Sequence, residues 1–296
     1  MSVVFEMESP YRGTYALHRQ TYGQGSPSVA LTAAIHGDEV NGIYALNVVA
    51  NVLAVQRPRG TVHLLPCINV LGAEEGKKRW SFDDRDINAA FPGNAEGGPI
   101  ERIAAAVMSA TEADVCIDVQ TGSTTVDEAP HARTPISGAA LEYAKSAGLP
   151  VTWRRSGEKF DEGVTGAWRQ AGRTALVLRA GRGGVLDLGA AQSLARGIVR
   201  LLGGMGMIAS AEAVPTTLAT SEVREYRSSA GGFFVPEVRA GERIAARTLL
   251  GWVRAPLGGD PIEAIHAEKP GIVLAVRSYP LAHARELLVR IAEEAP

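Results

Sequence analysis

The chain has 296 residues, of which 46% are hydrophobic and 21% are charged, proportions that are ordinary for a soluble globular protein. Its formal net charge of −2 gives no general attraction to nucleic acid or to anionic membranes. No apolar run approaches the roughly eighteen residues that a membrane-spanning helix needs. We therefore expect a small-molecule substrate or ligand, with neither nucleic acid nor a membrane as partner, and the sequence leaves a homo-oligomer open.

The amino-terminal segment and the cysteines both bear on the cellular compartment. The segment Met1–Pro10 contains acids where a secretory signal needs basic residues and a long apolar stretch. Cys67 and Cys116 each lie at or inside an apolar, strand-like run, where buried free thiols in a reducing compartment are commoner than a disulfide. We expect a cytoplasmic protein with two free cysteines.

Up to about residue 205, short apolar runs alternate with stretches of helical periodicity, which is typical of βαβ units. The predicted strands are Ser28–Ile35, Thr61–Pro66, Val115–Gln120 and Thr174–Arg179. The predicted helices are Glu39–Val55, Ile100–Ala110 and Asp187–Leu202. This alternation predicts an α/β domain with a mostly parallel sheet.

The composition changes after this region. Residues 209–221 are small, polar and proline-containing, as in a linker. Short β-like runs separated by turn residues follow. They are Gly231–Pro236, Arg247–Val253, Gly271–Ser278 and Leu287–Ile291. We predict a catalytic-type domain over 1–208, a linker over 209–221 and a small β-rich domain over 222–296.

The run His36–Gly42 is the most informative segment of the chain. It places an imidazole at the end of a predicted strand and the carboxylate of Glu39 three residues later, at the start of a predicted helix. Both side chains can converge above the carboxyl edge of the sheet, where open α/β proteins bind their ligands. An imidazole and a carboxylate are two of the three protein ligands that a catalytic zinc needs.

Several segments, in the right order along the chain, resemble one family. His36–Gly42 resembles the zinc-site motif of the succinylglutamate desuccinylase/aspartoacylase family, which has the zinc carboxypeptidase-like fold. The likeness continues at Pro66–Gly72, at Asp86–Gly93 and at Ile117–Gly122. The resemblance implies a mixed, mostly parallel sheet flanked by helices, followed by a small β domain. It also implies zinc-dependent hydrolysis of the amide bond of a small N-acyl compound.

The resemblance further implies a set of metal ligands. His36 and Glu39 match two of them. Gln120 stands where the family has a histidine as the third ligand, and a neutral amide oxygen is a poorer zinc ligand than an imidazole. Asp118 points to the same face of its strand and would orient the side chain at position 120. We predict His36, Glu39 and Gln120 as the metal site, with zinc as the cofactor.

Arginines match the remaining implied roles. Arg79 matches the family's arginine that stabilises the developing oxyanion. Arg179 stands where the family has the glutamate that shuttles the proton, and a guanidinium cannot act as a general base. Asn88 matches half of the family's clamp for the substrate carboxylate, and Ala89 replaces the arginine of that clamp. We predict catalytic roles for Arg79 and Arg179 and substrate binding by Asn88 and Arg79. Arg179 could alternatively pair with Glu39 or bind an anionic ligand.

Other histidines and acids are further candidates. His131 could replace the third ligand if its loop folds back, and is otherwise an exposed histidine beside Pro130. His63 lies within a predicted strand, where a core or surface imidazole is expected. Four acids assigned to loops could supply a relocated base, and their spacing singles out none of them: Asp83, Asp84, Asp127 and Glu128.

Three functional hypotheses follow. The chain is a divergent metal-dependent amide hydrolase or deacylase, or a pseudoenzyme that binds a ligand or partner in the ancestral pocket. The third alternative is an enzyme of altered, metal-free chemistry in which Arg79 and Arg179 position an anionic substrate. Because Gln120 and Arg179 replace the third ligand and the base, their contacts decide among these hypotheses.

Overall fold

A computed structural model describes residues 1–11, 13–156, 162–209 and 212–294. Among these residues, the strands are β1 (Ser2–Ser9), β2 (Gly13–Gln24), β3 (Ser28–Ala33), β4 (Gly60–Leu65), β5 (Val115–Gly122), β6 (Val126–Pro135), β7 (Val151–Arg155), β8 (Thr174–Arg182), β9 (Leu218–Thr220), β10 (Val223–Arg227), β11 (Gly232–Pro236), β12 (Arg243–Ile244), β13 (Leu249–Arg254), β14 (Pro261–His266), β15 (Gly271–Arg277), β16 (Leu281–Ala282) and β17 (Leu287–Glu293). The α-helices are α1 (Val40–Gln56), α2 (Val70–Glu75), α3 (Pro99–Ala110), α4 (Ala139–Ser146), α5 (Gly163–Gln170) and α6 (Leu188–Gly204), and Ile87–Ala90 forms a 3₁₀ turn. Each strand and helix predicted before residue 205 is present, within a few residues at its ends.

One large sheet organises the described residues, in the order β1-β2-β4-β3-β5-β8-β6-β15-β17-β10. Its centre is parallel, because β3 pairs in parallel with β4 and β5, and β5 pairs in parallel with β8. The neighbours β2 and β6 pair antiparallel with this centre. The predicted fold class, a mixed and mostly parallel sheet flanked by helices, is confirmed.

Each face of the sheet carries its own hydrophobic core. Residues of α1, α4 and α6 pack on one face, where Ile117 and Val119 of β5 contribute. Residues of α3 and α5 pack on the other face, where Cys116 of β5 contributes. Because side chains alternate along a strand, Asp118 and Gln120 lie on the α3/α5 face. The candidate site is therefore on that face, near the carboxyl ends of the parallel strands.

The carboxyl-terminal strands belong to two sheets. β15 pairs with β6, and β17 and β10 continue the large sheet beyond it. A second sheet has the order β14-β13-β11-β16. Within the predicted linker, residues 218–220 form β9, which pairs with β7, and residues 210–211 lie outside the described residues. The division into two domains stays a prediction.

Two smaller observations concern the cysteines and the helices. Cys67 and Cys116 are both free, as predicted; Cys116 is buried and Cys67 is partly buried. Among the helices in the described part of the chain, none is long and apolar enough to span a membrane.

Candidate functional site

His36 lies just after β3 and is held between two carboxylates. Its Nδ1 atom is 3.3 Å from Oε1 of Glu39, and its Nε2 atom is 3.1 Å from Oδ1 of Asp86. Burial favours the neutral imidazole, but the charge of Glu39 and the hydrogen bonds to Asp86 and Glu39 outweigh it and raise the pKa of His36 to about 10. The predicted convergence of His36 and Glu39 is present, with Asp86, which caps the 3₁₀ turn, as an additional partner.

Gly37 fixes the backbone at this point. Its N–H donates to the carbonyl oxygen of Lys78 at 3.1 Å, which holds the segment after α2 beside His36. A Cβ atom on Gly37 would lie 2.2 Å from the carbonyl carbon of Gly72 in α2. Glycine is therefore required here for close approach of two backbones, and no other residue fits without displacing α2.

We expect Gly37→Ala to lower the free energy of unfolding by about 1–3 kcal/mol, because overpacking against a fixed backbone forces a shift. Denaturant unfolding measures the change. The control is Gly231→Ala, whose added Cβ would lie 3.7 Å from the nearest atom and should have little effect. Equal stability of the Gly37→Ala variant and the unsubstituted protein would show that α2 can shift without a loss of unfolding free energy.

A cavity of about 260 Å³ opens above His36 and Glu39. Its charged lining combines the acids Asp38 and Glu39 with the cations Lys78 and Arg179. Small and polar residues complete the wall: Gly76, Thr121, Gly122, Ser123 and Thr124. Asp38 is buried and its Oδ1 atom has no hydrogen-bond partner among the described residues. This His36 cavity can accommodate a small molecule that carries charged groups of either sign.

Gln120 lines up with Arg179 in the paired strands β5 and β8. Its Nε2 atom donates to Oδ2 of Asp118 at 2.6 Å, as predicted for an orienting acid. Its Oε1 atom accepts from Nη1 of Arg179 at 2.8 Å. The one atom of Gln120 that could bind a metal is therefore hydrogen-bonded to a cation. Asp118 is fully buried, and burial raises its pKa to about 7.

Arg179 pairs with Glu128 rather than with Glu39, so that alternative from the sequence is wrong. The Nε atom of Arg179 donates to Oε2 of Glu128 at 2.8 Å, and Nη2 of Arg133 donates to the same oxygen at 3.0 Å. The assignment of Glu128 to a loop is also wrong, since it is a buried residue of β6. Burial opposes ionisation of Glu128, but Arg179 and then Arg133 outweigh it and lower its pKa to about 2.

His131 is completely buried in β6, so the prediction of a loop histidine beside Pro130 is wrong. Its Nδ1 atom donates to the carbonyl of Ala129 at 2.8 Å, and its Nε2 atom accepts from Nε of Arg133 at 3.0 Å. Burial and the charge of Arg133 lower its pKa to about 3. Both ring nitrogens of this neutral imidazole are engaged, which leaves neither for a metal.

Arg79 and Asn88 do not line the His36 cavity. The Arg79 side chain is 52% exposed and contacts Asp84, and it lines a separate cavity of about 320 Å³ beside Ala89. The side-chain oxygen of Asn88 accepts from the backbone N–H of Val164 at the start of α5. Neither side chain lies at the His36 cavity, and their predicted catalytic and substrate-binding roles stay predictions.

Lys78, Asp38 and Thr121 line the His36 cavity, yet the sequence did not single them out. Lys78 is one of three consecutive basic residues, so composition could not separate it from its neighbours. Asp38 lies inside the His36–Gly42 run, directly before the predicted ligand Glu39. The backbone contact between Gly37 and Lys78 brings Lys78 beside the His36–Gly42 run.

The residues do not fit a catalytic zinc with three protein ligands. His36 and Glu39 supply two donors that face each other, but the Gln120 oxygen already binds Arg179. A guanidinium at that position repels a divalent cation. Within the described ranges, no group of three or more His, Cys, Asp or Glu residues could hold a metal ion.

Comparison with known proteins places the chain in a family. The model of the succinylglutamate desuccinylase/aspartoacylase catalytic domain matches residues 25–205, which cover more than half of the chain. The chain belongs to this family. The resemblance of the His36–Gly42 motif is thereby confirmed, and the segments that carry it lie inside the matched region.

A curated relative is the N-alpha-acetyl-L-2,4-diaminobutyric acid deacetylase of Halomonas elongata. It is 32% identical to this chain over an alignment of 136 residues, which covers 43% of this chain and 40% of the relative. The match thus spans less than half of the relative's length.

Two solved structures share the fold across almost the whole chain. The product-bound ectoine utilization protein EutE (DoeB) from Ruegeria pomeroyi has a TM-score of 0.81 at 20% identity, covering 98% of this chain and 94% of that one. A succinylglutamate desuccinylase/aspartoacylase from Rhodobacter sphaeroides has a TM-score of 0.80 at 21% identity, with the same coverage. At these identities, the likeness establishes the fold.

Proposed function

We propose that this chain is an amide deacylase that acts on a small N-acyl amino acid. The supporting observation is the His36 cavity, which combines the family's His36 and Glu39 with the cations Lys78 and Arg179 in about 260 Å³. Family membership and the relative that deacetylates an N-acetyl diamino acid support the same class of reaction. We further propose that the protein acts in the cytoplasm on a small molecule alone.

The chain's own residues can bind and polarise such a substrate. Lys78 and Arg179 present cationic donors to the cavity, which suit a substrate carboxylate now that Ala89 replaces the family's arginine. A fixed cation near the acyl oxygen stabilises the negative charge that develops on it. Since the ligand set for zinc is incomplete, the roles proposed for these residues involve no metal. With Arg179 in place of the general base, the rate of amide hydrolysis should be about 10²–10⁴-fold lower than in the family's enzymes.

A second candidate function is ligand binding without turnover. The hydrogen bond between Gln120 and Arg179 favours it, because it occupies both the third-ligand position and the base position with one stable contact. The Arg179–Glu128 ion pair further holds this arginine in place. In this case the pocket would still bind its ligand but would not catalyse its hydrolysis.

Product analysis of N-acetyl amino acids, including Nα-acetyl-L-2,4-diaminobutyrate, separates the two candidates. We expect slow release of acetate, with the Michaelis constant raised at least about tenfold by Lys78→Gln, because a hydrogen bond to a charged group is lost. Lys77→Gln is the matched control, since Lys77 is exposed and pairs with Glu75. Saturable binding without acetate release would support the second candidate. Neither binding nor release with any N-acyl amino acid would overturn both.

The zinc content of the purified protein tests the ligand set. We expect well below one equivalent of zinc per chain after incubation with zinc and gel filtration, because only two of the three predicted ligands, His36 and Glu39, are not hydrogen-bonded to Arg179. Elemental analysis of the protein and of Glu39→Ala gives the comparison. One full equivalent that disappears in Glu39→Ala would show that Gln120 releases Arg179 and completes the site.

A further inference from the structure

Three guanidinium groups surround one indole ring. Trp153 and Arg155 lie on β7, Arg133 lies on β6 and Arg290 lies on β17. The Cζ atoms of Arg155, Arg133 and Arg290 are 4.6, 5.2 and 5.4 Å from the centre of the Trp153 ring. These four residues are half-buried, and none of them lines the His36 cavity. We call Arg133, Arg155 and Arg290 the arginine cluster.

The arginine cluster has more positive charge than its acidic neighbours balance. Arg133 donates to Glu128, which it shares with Arg179. Arg290 donates to Glu225, which also accepts from a further arginine, Arg227. Among the described residues in this network, five guanidinium groups thus share two carboxylates. Four of them contact these carboxylates, namely Arg133, Arg179, Arg227 and Arg290, whereas Arg155 interacts with both carboxylates through its charge alone.

The crowding carries an electrostatic cost. Burial and the charge of Arg179 lower the pKa of Arg133 to about 9. Burial and the charge of Arg290 likewise lower the pKa of Arg155. Cations that repel one another in a partly desolvated place favour an anion beside them, because an opposite charge removes the repulsion.

Hydrogen-bond donors are available for such an anion. Arg133 uses Nε and Nη2, and Arg290 uses Nε and Nη2, for contacts with His131, Glu128 and Glu225. In the described part of the chain, no residue accepts from Nη1 of either arginine. The two side chains keep 13% and 15% of their surface exposed, so a ligand from solvent can reach them.

We propose that the arginine cluster is a binding site for a small oxyanion, a phosphate or carboxylate group, seated among Arg133, Arg155 and Arg290 at the edge of Trp153. Planar guanidinium groups bind both kinds of anion through paired N–H donors. The shared oxygen of Glu128 connects this site to Arg179 of the His36 cavity. Binding there does not require deacylase activity, so it can be tested separately.

Tryptophan fluorescence reports directly on this site. We expect potassium phosphate or succinate to change the emission in a saturable way, beyond the effect of potassium chloride at equal ionic strength, and Trp153→Phe to abolish the change. Arg155→Gln and Arg290→Gln should each raise the Kd at least about tenfold, as loss of a charged hydrogen bond predicts. Isothermal titration calorimetry gives the same Kd without relying on Trp153.

Arg254→Gln is the matched control, because Arg254 also stacks on a tryptophan, Trp252, at 6.0 Å, but in the second sheet. Its Kd should stay within about twofold of the unsubstituted protein's. Arg155→Lys keeps the positive charge but lacks the planar guanidinium, so it should weaken binding by less than Arg155→Gln. This variant provides the test if a glutamine variant does not fold. Tighter binding of phosphate or of succinate identifies the ligand class. No saturable binding of either anion, or equal weakening by Arg254→Gln, would overturn the site.

Discussion

The combined variant Gln120→His, Glu128→Gln and Arg179→Glu should bind about one equivalent of zinc and deacylate N-acetyl amino acids about 10²–10⁴ times faster than the unsubstituted chain. Histidine at 120 restores three protein ligands for zinc. Glutamate at 179 restores a carboxylate that can take a proton from water. Both replacements also remove the hydrogen bond that now joins the two positions.

Glu128→Gln belongs in this variant because of the ion pair that the structure shows. Oε2 of Glu128 is 2.8 Å from Nε of Arg179, so Arg179→Glu alone would set two carboxylates against each other in a buried place. Glutamine at 128 removes that repulsion and can still accept from Arg133. We therefore expect Gln120→His with Arg179→Glu, but without Glu128→Gln, to be less stable and less active.

Zinc equivalents and kcat/KM are the measurements, and Glu39→Ala added to the combined variant is the control that should lose both. Zinc binding without faster turnover would mean that the cavity no longer positions an N-acyl substrate, which would count against the proposed deacylase. No zinc binding in a folded protein would mean that His36 and Glu39 have themselves lost metal-site geometry.

The sequence predicted the centre of the fold and the position of the site well, for one physical reason. β3, β5 and β8 are buried on both faces, so most of their residues are apolar. Polar residues at their carboxyl ends, such as His36 and Gln120, therefore stand out, and parallel pairing brings those ends together. Glu39 follows from the same pattern, since it directly precedes α1.

β6 could not be predicted in this way. It contains Asp127, Glu128, Pro130 and His131, and its register with β8 shifts between Glu128 and His131. Proline and charge normally argue against a central strand. Here the buried polar side chains are stabilised by Arg133 of the same strand and by Arg179 of the neighbouring strand β8, which lies 51 residues from Glu128 in the sequence.

The choice between Lys78 and Arg79 was also beyond the sequence. Gly76 has a φ of +66°, and the chain turns there before the basic run begins. The N–H of Gly37 then binds the carbonyl of Lys78, so that Lys78 lines the cavity and Arg79 turns towards Asp84. Which of two consecutive cations faces a site depends on one backbone contact of this kind.

Glu128→Gln alone should lower the free energy of unfolding at pH 7 by about 3 kcal/mol, because removing one partner of a buried ion pair leaves unpaired charge. The Glu128 side chain is only 5% exposed and one of its oxygens binds both Arg179 and Arg133. Glu225→Gln is the matched control, since Glu225 also joins two arginines but is 33% exposed. We expect less than about 1 kcal/mol there, as for surface pairs.

The stability that Glu128 contributes should depend on pH. Arg179 and Arg133 outweigh burial and lower the pKa of Glu128 from 4.5 in the unfolded chain to about 2 in the folded protein. A lowered pKa contributes stability that is fully present above pH 4.5 and is lost as the pH falls towards 2. The difference in unfolding free energy between the unsubstituted protein and Glu128→Gln should therefore be largest near neutral pH and shrink below pH 4.5. A constant difference would show that Glu128 stabilises by packing and not by charge.

Adding Arg179→Met to Glu128→Gln separates the ion pair from its cost of burial. If the loss in Glu128→Gln comes from an unpaired guanidinium, Arg179→Met should restore part of the stability, since the buried charge disappears with it. Denaturant unfolding of the two single variants and the double variant gives the coupling energy. Additive losses would mean that Glu128 and Arg179 stabilise the sheet independently. Partial recovery would mean that the contact with Glu128 holds Arg179 at the position where the family has its general base.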